Sequence, residues 1–430
     1  ESHHKKAIVL YEDLKESRNT LNDISDLAWS YDSLGILYFS IQRHEDSEIY
    51  HRKALTLYED LKETRKSLND ISDLARSYNN LATLYESIQR YEESESHHKK
   101  AIALYEELKK SRNSLNDISN LAMSYNNLGA LYDSMRRHEK AESYYKKSID
   151  LREKLKKTRN SLTDISDLAI SYNNLGTLYG YMHNYEEAEV YYKKSIDLRE
   201  KLQKTHNSLI DISYLARSYK SLGYLYKSMQ KYGESETYLK KYIELKKNLK
   251  DSHNSIIDML ELASSYDSLG SLYESMQRYE EAEIYIKKSI YLYEEVKKSR
   301  NSFNYISDLA RSYNNLGALY YSIQNYKDSE SYYKKAINLR ENLKESRNSV
   351  TDVSDLVDSY YKLGSLYKSI QRYDDAEFYC KEAISMAENI LNNTKSYEDK
   401  NNIVNSSVVL SDVYLGENKL CQARKFMEKA

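Results

Sequence analysis

Between Ser114 and Met135, apolar or small residues fall at Leu115, Ile118, Leu121, Tyr125, Leu128, Tyr132 and Met135. Steps of three and four predict one buried stripe along an amphipathic helix. A polar break, Arg136-Arg137-His138, follows. A second helix is predicted from about Glu139 to Lys157, with Ala141, Tyr145, Ser148, Leu151 and Leu155 inward. Its first turn is acidic and its last turn carries Lys156 and Lys157, the polarity that the helix dipole favours. Thr158-Arg159-Asn160 then leads into a new copy of the same pattern.

The copies recur at a fixed interval. Gly35, Gly129, Gly176, Gly223, Gly270, Gly317 and Gly364 stand 47 residues apart or at twice that spacing, with Ala82 as the missing member. Seven of the chain's 10 glycines thus share one column, although glycine costs about 1 kcal/mol against alanine inside a helix. A close approach by a neighbouring helix is the expected compensation. Ser or Thr recurs at 20, 67, 114, 161, 208, 255, 302, 349 and 396. Three residues after each stands an Asp, at 23, 70, 117, 164, 211, 258, 352 and 399, with Tyr305 as the exception. Ser-x-x-Asp ahead of an apolar pattern is a helix-capping signature.

These spacings define eight full helix pairs over residues 20–395. Residues 1–19 correspond to a second helix alone, and 396–430 to a degenerate partial repeat in which Ser407 and Ser411 replace the usual Tyr and Gly. Both ends fall partway through a unit, so the sequence is expected to be an excerpt of a longer polypeptide. The fold expected is all-α: an α–α solenoid of about eight 47-residue helix pairs plus partial repeats, each pair burying its apolar face on its neighbours.

Composition narrows the function. Lys+Arg 64 against Asp+Glu 66 leaves a net charge of -2, which supplies no basic footprint for nucleic acid. No apolar run approaches the roughly 20 residues of a membrane span. Proline is absent, and the only two cysteines, Cys380 and Cys421, lie in different repeats. A reducing, cytoplasmic setting is expected. No glycine-rich phosphate loop, catalytic carboxylate pair or Cys/His dyad stands out, so neither catalysis nor a cofactor is expected, nor a small-molecule substrate. His4, His51 and His98 share one column, which invites a metal reading. The same column holds Tyr145, Tyr192 and Tyr333, and helices 8–10 Å apart do not let such side chains converge, so packing is the better account.

The pattern resembles the tetratricopeptide repeat, whose helix pair carries an aromatic, Leu-Gly, Tyr, Ala, an aromatic and Ala. Here these are Tyr125, Leu128-Gly129, Tyr132, Ala141, Tyr145 and Ser148. Asn-Asn ahead of Leu-Gly is similar to the repeats of kinesin light chain and related bacterial arrays. The family's usual unit is 34 residues, so each unit here is longer by about 13, close to two turns added to each helix. The resemblance implies a right-handed superhelix with a concave groove, lined by the first helices, that binds extended or helical peptides.

On the first helix, the face opposite the buried stripe holds Met123, Asn126, Asn127, Ala130, Asp133 and Ser134. Asn127 recurs as Asn80, Asn174 and Asn315, and Asn126 as Asn79, Asn173 and Asn314. Arg76, Arg217 and Arg311 form a column one turn earlier. Such an asparagine column can pair both amide groups with a peptide backbone, and arginine adds carboxylate recognition. The competing account is a solvated polar face copied by duplication. Aromatics interrupt the same columns at Trp29, Phe39, Tyr181, Tyr224, Tyr321 and Tyr361, either as anchors for a ligand or as contacts with the next repeat. Most of the 46 tyrosines fall in the buried stripe, while Tyr144 and Tyr191 have no role assigned by pattern. The function expected is a protein-interaction scaffold or adaptor whose partner is a protein or peptide, or another domain of the same polypeptide. A sensor or regulatory arm of a larger protease- or NTPase-linked effector is the alternative.

Overall fold

The computed structural model describes residues 2–18, 20–206, 208–253, 255–299, 303–347, 349–394, 397–416 and 419–429. Among them, the regular structure is nineteen helices and the turns that join them. The chain divides into two compact units, Glu1–Leu225 and Tyr226–Ala430. In the first, α1 (Ser2–Ser17) precedes the pairs α2 (Leu21–Ser40) with α3 (His44–Thr64), α4 (Leu68–Ser87) with α5 (Tyr91–Ser111), α6 (Leu115–Ser134) with α7 (His138–Thr158), and α8 (Leu162–Tyr181) with α9 (Tyr185–Thr205). The boundary between units falls within α10 (Leu209–Ser228). The second unit continues with α11 (Tyr232–His253), α12 (Ile256–Ser275), α13 (Tyr279–Ser299), α14 (Phe303–Ser322) and α15 (Tyr326–Ser346). It closes with α16 (Val350–Ser369), α17 (Tyr373–Thr394), α18 (Tyr397–Gly416) and α19 (Leu420–Lys429). Within each unit every helix packs chiefly on its sequence neighbours, the arrangement of an α–α solenoid.

The caps form as the spacing predicts, with an addition. Ser161 accepts from the Asp164 amide, and Asp164 accepts in turn from the Ser161 amide at 3.2 Å. Ser302 and Ser396 lie outside the described residues. A linker arginine, passed over in the sequence, completes the caps at Asp70, Asp117, Asp164 and Asp352, while His206 takes its place at Asp211. Arg159 donates to both Asp164 oxygens at 2.8 and 2.6 Å, and to Asn116 of the preceding repeat at 2.9 Å. Arg159 accordingly holds the Asp164 carboxyl down at about 2. Arg65, Arg112 and Arg347 grip their own aspartates in the same way. Because Asp117 is buried by this fork, the apolar stripe starts a turn later than predicted, and Leu115 is exposed.

The stripe itself is buried as expected: Leu121, Tyr125, Leu128 and Tyr132 on α6, and Ala141, Tyr145, Ser148, Leu151 and Leu155 on α7. In the second unit one continuous core runs from Leu239 to Leu339. A Cβ on Gly129 would meet the Tyr145 ring at 2.8 Å, and on Gly317 the Tyr333 ring at 2.7 Å. The close approach behind the glycine column is thus made by a side chain of the paired helix. Burial of His51 and His98 in that column confirms packing: His51 Nδ1 lies 2.7 Å from Asp32, and His98 Nδ1 lies 2.9 Å from Asn79. Burial pushes the His98 pKa down to about 3, so its ring is neutral. The side chain of His4 lies outside the described residues.

Tyrosine hydroxyls bind one repeat to the next. Tyr132 and Tyr179 donate to Glu95 and Glu142 on the preceding second helix at 2.9 and 2.8 Å. Lys146, and against burial the Tyr179 hydroxyl, hold the Glu142 carboxyl below its usual range. Tyr144 and Tyr191 stack on Tyr132 and Tyr179 at 5.6 and 5.7 Å between ring centres, which gives the surplus tyrosines a packing role. From Gln42 to Gln371, the intra-repeat turns close on a non-glycine residue with positive φ, such as Gln42, Gln89 or Arg136. In the last repeat Ser407 and Ser411 are buried, and Ser411 donates to the Ala423 carbonyl at 3.1 Å. In two earlier repeats the donor sits on the other helix: Ser47 gives to the Gly35 carbonyl at 2.9 Å and Ser329 to the Gly317 carbonyl at 2.8 Å.

Candidate peptide-binding face

The columns singled out on the first helices separate into a covered row and an open row. Asn79, Asn126, Asn173 and Asn314 are buried between successive first helices. Asn79 donates to Ser124 at 2.6 Å, Asn314 donates to Ser359 at 2.9 Å, and Asn126 accepts from Ser171 at 3.3 Å. This corrects the reading of that column as groove lining: a first helix touches the first helices on both sides, and its Asn126 position lies inside that contact. The next column, Asn80, Asn127, Asn174 and Asn315, is half-buried. Three of these amides reach back one repeat, Asn80 to Asp32 at 2.8 Å, Asn174 to Asn126 at 3.3 Å, and Asn315 to Asp267. Their nitrogens are therefore engaged, while among the described residues no donor meets the Asn80 and Asn174 side-chain carbonyls. Asn127 makes no side-chain hydrogen bond among the described residues.

Arg76 pairs with Asp73 at 2.8 Å and Arg311 pairs with Asp308, each across one turn of its own helix. Both guanidinium groups stay about half exposed. Such pairs contribute only a few tenths of a kcal/mol and leave the arginine able to exchange partners. Arg217 is exposed, and Tyr214 stands where the paired aspartates stand. The structure adds a row that the sequence did not disclose. Arg152, Arg199, Lys246 and Arg340 are buried on second helices at the position of Tyr58, Tyr105 and Tyr293. Arg152 reaches Asp167 at 2.6 Å, and Lys246 pairs with Glu261. The carboxylate on the first helix is thus matched by a cation from one helix or the other. Arg199 faces the Tyr214 ring at 4.8 Å, and burial lowers its pKa to about 10. An alternation of Tyr and Arg in one column, compensated elsewhere, was the available signal.

The aromatics divide too. Trp29 and Tyr181 are exposed at 56% and 67%, and Tyr224 is exposed as well. Phe39 packs against Leu81, Leu84 and Tyr85 of the following repeat, and Tyr361 packs on the core of its unit. Tyr321 shares a hydrogen bond with Ser369 at 2.7 Å. Asp267, buried in the covered row, accepts from Ser312 at 2.7 Å, and burial raises its pKa to about 6. Among the described residues, no helix is long and apolar enough to cross a membrane.

Known proteins place this architecture. The tetratricopeptide repeat family model matches residues 73–154, 167–248, 261–342 and 308–389, and a second model of the same description matches 27–61. No curated protein sequence matches the chain. Among solved structures, the apo form of RapI aligns at TM-score 0.60 and 14% identity, over 94% of this chain and 96% of its own. The apo form of the quorum sensor NprR from B. thuringiensis aligns at TM-score 0.52 and 16% identity, over 90% and 97%. BtubC from P. vanneervenii is 20% identical over 59% of this chain and 91% of its own, at TM-score 0.47. With matched repeats between residue 27 and residue 389 and helix pairs stacked within each unit, the chain belongs to the tetratricopeptide repeat family.

Proposed function

We propose that the chain is a protein-binding scaffold that takes a peptide segment along the first-helix face. The observation that carries this reading is the half-buried row Asn80, Asn127 and Asn174 of the first unit, which keeps side-chain carbonyls, and at Asn127 the whole amide, available beside exposed Trp29 and Tyr181; Asn315 holds the same column position in the second unit. Arg76, Arg217 and Arg311 add charge for an acidic partner, and Tyr224 and Tyr361 extend the aromatic contacts. Three neutral hydrogen bonds contribute about 3 kcal/mol, whereas micromolar affinity needs about 8. Aromatic burial therefore carries the remainder, with Trp29 as a principal anchor.

The test starts from peptides selected against the intact chain from a random library, with affinities measured by calorimetry. Asn127→Ala with Asn174→Ala should weaken binding by about 1–3 kcal/mol and leave stability nearly unchanged. Lys154→Ala with Lys201→Ala, on exposed parts of second helices, should have no effect. Loss of binding in the lysine pair and not in the asparagine pair would place the ligand elsewhere.

A further inference from the structure

Clefts open beside second helices in both units: three in the first, floored by Tyr31, Tyr78 and Tyr125, and one in the second, floored by Tyr266. In this tyrosine column the hydroxyl normally donates to a glutamate 19 residues earlier. Tyr125 donates to Glu106 at 2.6 Å, Tyr172 to Glu153 at 2.5 Å, Tyr219 to Glu200 at 2.6 Å and Tyr360 to Glu341 at 2.6 Å. Tyr31, Tyr78 and Tyr313 bond Glu12, Glu59 and Glu294 likewise. At Tyr266 the glutamate is replaced by Lys247. Tyr266 is 7% exposed, and its hydroxyl makes no hydrogen bond among the described residues.

The cleft over Tyr266 measures 510 Å³ and carries Lys247, Lys250, Lys287 and Lys288 against the single carboxylate of Asp251. The other three clefts each retain the glutamate. Lys287 is held by Glu283 at 2.6 Å. Lys288 lies 4.8 Å above the Tyr285 ring, and both Lys247 and Lys288 lie 5.9 Å from the Tyr266 ring centre. Leu262, Ile284 and Tyr291 form the apolar wall.

We propose that this cleft binds an acidic side chain of a protein partner, whose carboxylate takes the place of the missing glutamate. A carboxylate there accepts from the Tyr266 hydroxyl, as in seven other repeats, and is paired by Lys247 and Lys288. The lysines of the site stand on the second helices α11 and α13, over Tyr266 of the first helix α12, and the site does not depend on the asparagine-row reading.

The probe is an acetylated, amidated hexaglutamate, titrated calorimetrically into the intact chain at low and physiological salt, with hexaserine as the blank. Binding should occur at one site and weaken with salt. Lys247→Glu, which restores the residue of the other repeats and so keeps the fold, should weaken binding at least tenfold, and Lys288→Ala severalfold. Asn127→Ala with Asn174→Ala should leave it unchanged. No binding by the unmodified chain, or equal binding by Lys247→Glu, overturns the proposal. Inorganic phosphate bound as tightly as the peptide, and lost in the same variant, also overturns it in favour of a small-anion site.

Discussion

Gly317→Ala probes the contact that fixes each helix pair. An added Cβ would lie 2.7, 2.8 and 3.1 Å from Cδ1, Cε1 and Cγ of Tyr333, against the 3.5–4.0 Å at which carbon atoms are comfortable. Tyr333 is 3% exposed, so the ring cannot swing into solvent and α14 and α15 must separate by a fraction of an ångström. Overpacking of this kind costs about 1–3 kcal/mol, while alanine returns about 1 kcal/mol of helix propensity. The expected net loss is about 0–2 kcal/mol. Gly35→Ala is the matched comparison. Its Cβ would meet His51 at 2.8 Å, but the next repeat already pairs Ala82 with His98. That change should fall within about 0.5 kcal/mol of neutral. A repeat array need not unfold in one step, so the readout is amide exchange in α14–α15 and in α2–α3, compared with global denaturation. Equal costs at the two sites, or a more stable Gly317→Ala, would refute the steric account.

Two further predictions concern buried charge. Asp267 has its pKa raised by burial from 3.8 to about 6, so the folded chain holds a proton that the unfolded chain releases. Its contribution is greatest below pH 3.8 and is lost as pH rises through about 6. Asp267→Asn, the residue of the equivalent column in four repeats, should therefore stabilise the chain by about 1–3 kcal/mol at pH 7 and flatten its stability between pH 4 and 7; denaturant titrations across that range check this. Asp167→Ala should cost about 1–3 kcal/mol by leaving the Arg152 guanidinium buried and unpaired. Arg152→Tyr with Asp167→Asn should restore stability to within about 1 kcal/mol, because it copies Tyr105 with Asn120; the same titrations at pH 7 decide it.

The repeat, its caps and its buried stripe were legible because each depends on contacts within a few residues or on spacing along one helix. What lay beyond reach was the width of the contact between stacked units. Angular position alone sets Asn126 beside Asn127, yet one is covered by the neighbouring helix and the other is only half-covered. Arg159 was hidden for a related reason. It follows a helix end in sequence, but its three hydrogen bonds go to Asp164 in the next cap and to Asn116 in the preceding repeat. Trp29 and Phe39 show the same limit: both break a polar column, and only three-dimensional neighbours separate the exposed ring from the packed one.

The bonds between repeats also bear on how such a chain changes length over generations. Suppose recombination removed residues 114–160 as a block. Tyr179 would find Glu95 where it now finds Glu142, Asn79 would meet Ser171 where it now meets Ser124, and Arg112 would grip Asp164 where it now grips Asp117. Each junction would be rebuilt from the same residue types at the same offsets. Asp167 alone among these would lose out, since Tyr105 would replace Arg152 beside it. Gain or loss of whole units is nearly neutral for this fold, whereas a deletion that is not a whole number of units would break the junctions that span it and leave those on either side in register.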